Sequence, residues 1–401
     1  MLKDVKELLY TAAYYPEEIE RVTNPEKPSF VKFDPELGYI LKNYVFRDGI
    51  YNTLSEYIYE KDGGHRKMIN YGEHKCRINT YGNSYTQCAQ VNDGETWQEI
   101  LASHFREPIR NFGVGGYGVY QAYLRMMRVE KTHLSAEYLI LNIWDDDHFR
   151  NLDSARWIRV AWMHKDLPRG GGEETYPVHG FPWAHIRYDI EKGKFVGLPG
   201  ICKNEDDLKK LANKETYYNT FKDDHIVHLF TLTEGGEAPV DYLEKIAESF
   251  GIKVDLRTSD AEKRKKEAKK LHIAYGIKST IYILEKLSRW CDENNRKLMI
   301  LLSYDAPTVK KYIEKGERFD VELIEYLQNN TFKFVDCLEK AKNEYVEFYK
   351  TDVNKFLERF YIARAGAQVF GHYNPYGNFW FAWTIREELV NFLSPKPPSY
   401  R

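Results

Sequence analysis

Ser84 in RINTYGNSYTQC, His372 in GHYNPYGN and the run Asp145, Asp146, Asp147, His148 in ILNIWDDDHFRN are the residues whose types suit them to chemistry. A serine hydroxyl becomes a nucleophile when a base takes its proton, and an imidazole is suited to that duty near neutral pH. Gly82 and Asn83 tolerate the backbone angles of a tight turn, so the chain is expected to leave a short strand around Ile78 and enter a helix at Ser84. A serine there has a second use as an N-cap, its oxygen accepting a backbone N–H. The acidic run has three readings: hard oxygen ligands with one imidazole for a divalent cation, paired carboxylates for acid–base work on a glycosidic bond, or a solvated loop capping strand and helix ends.

A glycine-rich turn, NFGVGGYG at residues 111–118, offers a different tool. Gly113, Gly115 and Gly118 fit the spacing of a dinucleotide fingerprint. The acidic cluster, however, follows about thirty residues later instead of about twenty, and the loop does not follow the first strand. The same residues also read as Asn111-x-Gly113-x-x-Gly116. There, glycine lets a backbone N–H approach a ligand oxygen with no side chain in the way, which is what an oxyanion hole needs.

Parallel strands joined by helices would carry these turns. From Lys75 the pattern alternates: strand KCRINTY, helix GETWQEILASHF, strand PIRNFGV, helix VYQAYLRMMR, strand AEYLILNIW. It resumes with a long helix from about Ser259 to Asn295, the strand KLMILLSY and a closing helix FWFAWTIREELVNFL. The expected fold is a three-layer α/β/α sandwich around a parallel sheet. Residues 1–74 read as an N-terminal extension packing on this core, and about 153–260 as an insertion containing a hairpin, HIRYDIEKGKFVGL. The basic run EKRKKEAKK is interleaved with Glu and has no aromatic stacking platform, so it reads as a solvated helix face.

With 58 basic and 60 acidic residues the net charge is −2, and no overall field points to nucleic acid or an anionic membrane. Five scattered cysteines, with no C-x-x-C pair, fit a reducing compartment. The first residues lack the apolar core of a signal peptide, and no apolar run reaches spanning length. These features set the expectation of a cytoplasmic protein without nucleic-acid or membrane partners, and with no cofactor.

Taken in order, G-N-S in the first strand-to-helix turn, N-x-G-x-x-G in the next, an acidic patch after the third strand and a late His372 before the final helix resemble the SGNH/GDSL hydrolase superfamily, whose sheet is flavodoxin-like. The resemblance covers roughly residues 75–152 and 296–395. It implies Ser84 as nucleophile and His372 as base. It also implies the backbone N–H groups of Ser84 and Gly116 as oxyanion donors, with Asn83, Asn111, Gly115 and Asn374 shaping turns or supporting the substrate.

Three departures from the family pattern stand out. Asn83 replaces the aspartate of the G-D-S motif. Val369 occupies the position where an aspartate precedes the catalytic histidine, so His372 is steered either by a backbone carbonyl or by a carboxylate from elsewhere. The oxyanion asparagine is missing: strict spacing puts Trp144 there, and a longer loop puts Asp147 there, with Asp145 and Asp146 beside it. The implied activity is a serine esterase or deacylase, and the expectation that its substrate is an O-acyl ester of a carbohydrate or small polar molecule rests on the aromatic content, 31 Tyr and 8 Trp, whose faces can stack on sugar rings. The alternatives are an O-acyltransferase of the same fold, a carboxylate- or metal-assisted glycoside hydrolase, and a catalytically silent module binding carbohydrate or a partner. The insertion would then serve as acceptor site, lid or homo-oligomer contact.

Overall fold

The computed structural model describes residues 2–61, 64–167, 169, 180–350, 352–363 and 370–401. They fall into two compact units, one of Met1–Ile40 with His148–Tyr282 and one of Leu41–Asp147 with Ile283–Arg401. This division differs from the boundaries drawn along the sequence. Residues 1–40 group with the inserted segment, and 41–74 group with the sheet.

The second unit contains a five-stranded sheet of β1 (Ile78–Tyr81), β2 (Arg110–Asn111), β3 (Tyr138–Trp144), β4 (Lys297–Ser303) and β5 (Lys333–Asp336). Their spatial order is β5-β4-β3-β1-β2, all parallel, with Ile78 opposite Tyr138, Thr80 opposite Asn111, Leu301 opposite Asn142 and Leu301 opposite Val335. This is the flavodoxin-like order 2-1-3-4-5, in which ligands gather beyond the carboxyl ends of the strands. The central strands β3 and β4 are nearly continuous apolar runs, as sheets covered on both faces require: all of Tyr138–Ile143 is buried.

Alternation along β1 assigns the layers. Thr80 Oγ1 accepts from Gln98 Nε2 of the helix Trp97–Phe105, whereas Asn79 and Tyr81 point the other way and donate to the Glu130 carboxylate at the end of the helix Val119–Val129. Trp97 and Phe381 meet edge to face at 5.5 Å and are fully buried, joining Trp97–Phe105 to the closing helix Pro375–Phe392. Burying such a side chain contributes about 1.5–3 kcal/mol. The C-terminal tail is strapped down by Arg77, which donates to Pro395 O at 2.8 Å, and by Tyr138 OH, which donates to Ser394 O at 2.7 Å.

The first unit is mainly helical, with the expected hairpin at His185–Asp189 and Lys194–Leu198. Its core gathers Leu152, Leu229, Leu232, Leu243, Ile246 and Leu271. A buried Arg187–Asp224 pair at 2.6 Å fixes the hairpin, and the Asp224 carboxyl falls below its usual range because, although burial opposes ionisation, Arg187 and His225 beside it outweigh that cost. The long helix is Ala261–Glu293, and its basic opening run is mostly exposed. Residues 170–179 of the loop RGGGEETYPVHGFPW lie outside the described residues.

Candidate active site

β1 is buried at every position and ends in a turn that only glycine fits. Gly82 has φ +151°, and a Cβ there would stand 2.2 Å from Thr86 Oγ1 and 2.5 Å from Asn142 O. Asn83 follows as the N-cap of the short helix Ser84–Gln87, its Oδ1 accepting from Tyr85 N at 2.8 Å. The cap is therefore Asn83 and not Ser84. With the capping duty taken by its neighbour, the Ser84 hydroxyl lies 2.7 Å from His372 Nε2.

His372 comes from the strand Phe370–Tyr373, which pairs antiparallel with Tyr361–Ala363. Asn374 ends that strand and caps the closing helix, accepting from Gly377 N at 2.8 Å and donating through Nδ2 to Arg359 O at 2.9 Å. It anchors the segment that carries His372. The Tyr85 ring lies 5.2 Å from the His372 ring and packs in turn on Trp144 and Tyr373. Position 369 lies outside the described residues. Gln90, which has no motif to mark it, supplies the acceptor at the other ring nitrogen: its Oε1 is 2.8 Å from His372 Nδ1 and also accepts His372 N–H at 3.0 Å.

The glycine turn lies against the same helix. Asn111 Oδ1 accepts from Gly113 N at 2.9 Å, and a Cβ on Gly113 would fall 2.1 Å from Gln87 N, so the backbone approach requires glycine. Gly115 donates to Gln87 Oε1 at 2.7 Å, and a Cβ built on it would lie 3.6 Å from Ser84 Cβ. Gly116 follows with φ +86°, in the left-handed region.

The three aspartates have three separate surroundings. Asp147 is 1% exposed, and both its oxygens lie 2.8 Å from Asn83 Nδ2 while Oδ2 also accepts Trp144 N–H at 3.0 Å. Its carboxylate thus braces the residue that precedes Ser84. Asp145 turns toward Thr308, whose hydroxyl donates to its Oδ2, while its Oδ1 is buried without a hydrogen-bond partner among the described residues. Burial, and then the neighbouring Asp305, push the Asp145 carboxyl well above the usual carboxylate range. Asp146 is half-buried between them, and His148 pairs through Nδ1 with Thr280 at 2.8 Å. Among the described residues no three His, Cys, Asp or Glu side chains converge as a metal-holding group. Trp144, the other position considered for the missing asparagine, stacks on Tyr85 at 5.3 Å.

Behind the site, Arg66 is 2% exposed and fastens the turn that follows Ser84. Its guanidinium donates to the carbonyls of Gln87, Cys88 and Val91 and to Asp93. A groove of about 670 Å³ runs along the closing helix, lined by Tyr376, Phe379, Trp380 and Trp383 with Glu344 and Arg359, and does not include Ser84 or His372.

Solved structures similar to this chain include two proteins, named as lipolytic and as an acylhydrolase. One is a member of the lipolytic protein G-D-S-L family from Veillonella parvula, 13% identical, covering 77% of this chain and 96% of its own, with a TM-score of 0.33. The other, from Bacteroides fragilis and provisionally named an acylhydrolase, is 12% identical and covers 81% of this chain and 91% of its own, with a TM-score of 0.31. No protein-family model matches the sequence, and no curated protein matches it. No described helix is long and apolar enough to cross a membrane.

Proposed function

We propose that the chain is a serine hydrolase of carboxylic esters, acting through an acyl-enzyme on Ser84. The observation that carries this reading is the 2.7 Å contact between Ser84 Oγ and His372 Nε2, with an acceptor already placed at Nδ1. In the first step Ser84 Oγ bonds to the ester carbonyl carbon while its proton passes to His372 Nε2. The carbonyl oxygen takes the electron pair, with the N–H groups of Ser84 and Gly116 as its donors. Collapse breaks the bond to the alcohol oxygen, which leaves with the proton from His372. Water then repeats the sequence, releasing the carboxylic acid and restoring Ser84. Asp147 supports the turn through Asn83 in this scheme and exchanges no proton with the substrate.

The alcohol portion is proposed to be a carbohydrate or another small polar molecule. Support comes from the exposed rings of Tyr376, Phe379 and Trp383, which offer flat faces in a groove whose lining includes Pro375, three residues after His372 in the chain. The test is labelling with a fluorophosphonate probe, followed by mapping of the labelled peptide and turnover of p-nitrophenyl acetate. Label on Ser84, and its loss together with turnover in Ser84→Ala, is the expected result. Turnover surviving in Ser84→Ala would remove the serine from the mechanism.

A further inference from the structure

Gln90 belongs to no motif, yet it has an uncommon conformation and several specific contacts. Its backbone sits at φ +73°, a left-handed angle that a glutamine adopts only when its surroundings insist. What insists is visible. Tyr57 OH accepts Gln90 N–H at 2.5 Å, and Arg66 fixes the carbonyls of Gln87, Cys88 and Val91 on either side. The side chain is 6% exposed, and its amide is oriented by its partners: Nε2 donates to Asp48 O at 3.0 Å, so Oε1 faces His372. A flipped amide would set an NH₂ against the His372 backbone N–H, donor against donor.

We propose that Gln90 is the positioning residue of His372. Its side-chain carbonyl holds the imidazole with its proton on Nδ1 and the lone pair of Nε2 facing Ser84. The inference deepens the hydrolase reading and rests on it for its kinetic consequence, though not for the ring geometry. Because Oε1 accepts from both the backbone N–H and Nδ1 of the same histidine, the ring cannot rotate, or move its proton to Nε2, without losing a bond. A base in the opposite tautomer has no lone pair for the Ser84 proton. Gln90 gains and loses no proton at any step, so the proton balance of the proposed reaction is unchanged by its presence. Sequence spacing allowed a backbone carbonyl or a carboxylate for this duty. The partner in the structure is a side-chain amide, which leaves the acceptor function without a negative charge.

The experiment compares the full-length wild type, Gln90→Met and Gln90→Glu. Methionine keeps the length of the side chain without an oxygen acceptor, and glutamate keeps the acceptor. The tautomer of His372 is read from ring ¹⁵N shifts, assigned by loss of the signal in His372→Asn, and kcat and KM are read on p-nitrophenyl acetate. The expected result is Nδ1–H in the wild type and loss of that tautomer in Gln90→Met. The same variant should show kcat lowered at least ~100-fold, toward the roughly 10⁴-fold loss reached when a serine enzyme's histidine is held in the wrong tautomer, with KM little changed. Gln90→Glu should recover the tautomer and at least about a tenth of kcat, because it restores the acceptor. Should Gln90→Met not fold, Gln90→Gly replaces it, since glycine adopts φ +73° without strain. A folded Met or Gly variant with wild-type tautomer and kcat overturns the proposal, and so does a Glu variant as impaired as the Met variant. A wild type that turns over no ester overturns the hydrolase reading, while the ¹⁵N shifts still decide the role of Gln90.

Discussion

Exchanging the residues at positions 83 and 147 tests whether Asp147 acts through the turn or on the substrate. Asn83 spends its carbonyl on Tyr85 N–H, so its NH₂ must face the carboxylate, and Asp147 Oδ2 takes Trp144 N–H as well. In Asp147→Asn one carboxylate oxygen becomes an NH₂ set 2.8 Å from another NH₂, which removes a charge-assisted bond at a cost of about 2 kcal/mol. In Asn83→Asp two carboxylates with centres roughly 4 Å apart repel by about 4 kcal/mol at an effective dielectric near 20, unless one takes up a proton. The double variant, Asn83→Asp with Asp147→Asn, turns the same pair around. The side chain at position 83 still caps the helix, since aspartate is as good an N-cap as asparagine. The amide introduced at position 147 can donate to it and still accept Trp144 N–H. The two single losses sum to about 6 kcal/mol, and the double variant should recover at least ~3 of them, a coupling at the upper end for residues in direct contact. Urea unfolding measures the cycle, and the rate of fluorophosphonate labelling measures Ser84 in each variant. If Asp147 only braces Asn83, labelling falls in both single variants and returns to within about tenfold of wild type in the double. A double variant no better than its worse parent in both assays refutes the reasoning. Recovered stability with dead chemistry would show that the carboxylate itself takes part in the reaction.

Two further outcomes follow from buried charge. Arg66→Ala takes a donor from the four carbonyls of Glu56, Gln87, Cys88 and Val91 and leaves Asp93 without its 2.5 Å partner, so it should cost about 3–5 kcal/mol in urea unfolding and slow labelling of Ser84 as the following turn loosens. Asp145 has its folded-state pKa raised by burial and by Asp305. Its contribution to stability is therefore complete below the ordinary carboxylate value and is lost as pH rises through the raised one. Asp145→Asn should consequently unfold at higher urea than wild type at neutral pH, with the advantage disappearing below about pH 4; an equal gain at both pH values would assign the effect to packing.

The long strands were legible because a sheet covered on both faces leaves unbroken apolar runs such as AEYLILNIW and KLMILLSY. The turn at Ser84 was legible because Gly82 and Asn83 have strong local preferences. β5 was not read from the sequence: Lys333–Asp336 has four residues, and its pairing with β4 decides its conformation. PIRNFGV read as a full strand, but only Arg110–Asn111 extends, because Asn111 and Gly113 close the glycine turn immediately afterwards. Spacing alone could not choose between Trp144 and Asp147, since that choice depends on how the loop closes. Gln90 was invisible for a different reason. Its role comes from contacts with Tyr57, Asp48 and His372, and a lone glutamine after Cys88 and Ala89 has no local preference that announces them.

The 288 positions between Ser84 and His372 also set an order in time. The hydrogen bonds that brace the turn at Ser84 come from residues between 48 and 147: the Arg66 clasp, the Asn83–Asp147 brace, the glycine turn and Gln90 itself. At about 5–20 residues per second, a ribosome needs roughly 15–60 s to travel from the serine to the histidine. Once Asp147 has been made the turn has all of these partners while the Ser84 hydroxyl still lacks its own, and the proposed reaction waits until the segment carrying His372 is made and folds back onto Ser84.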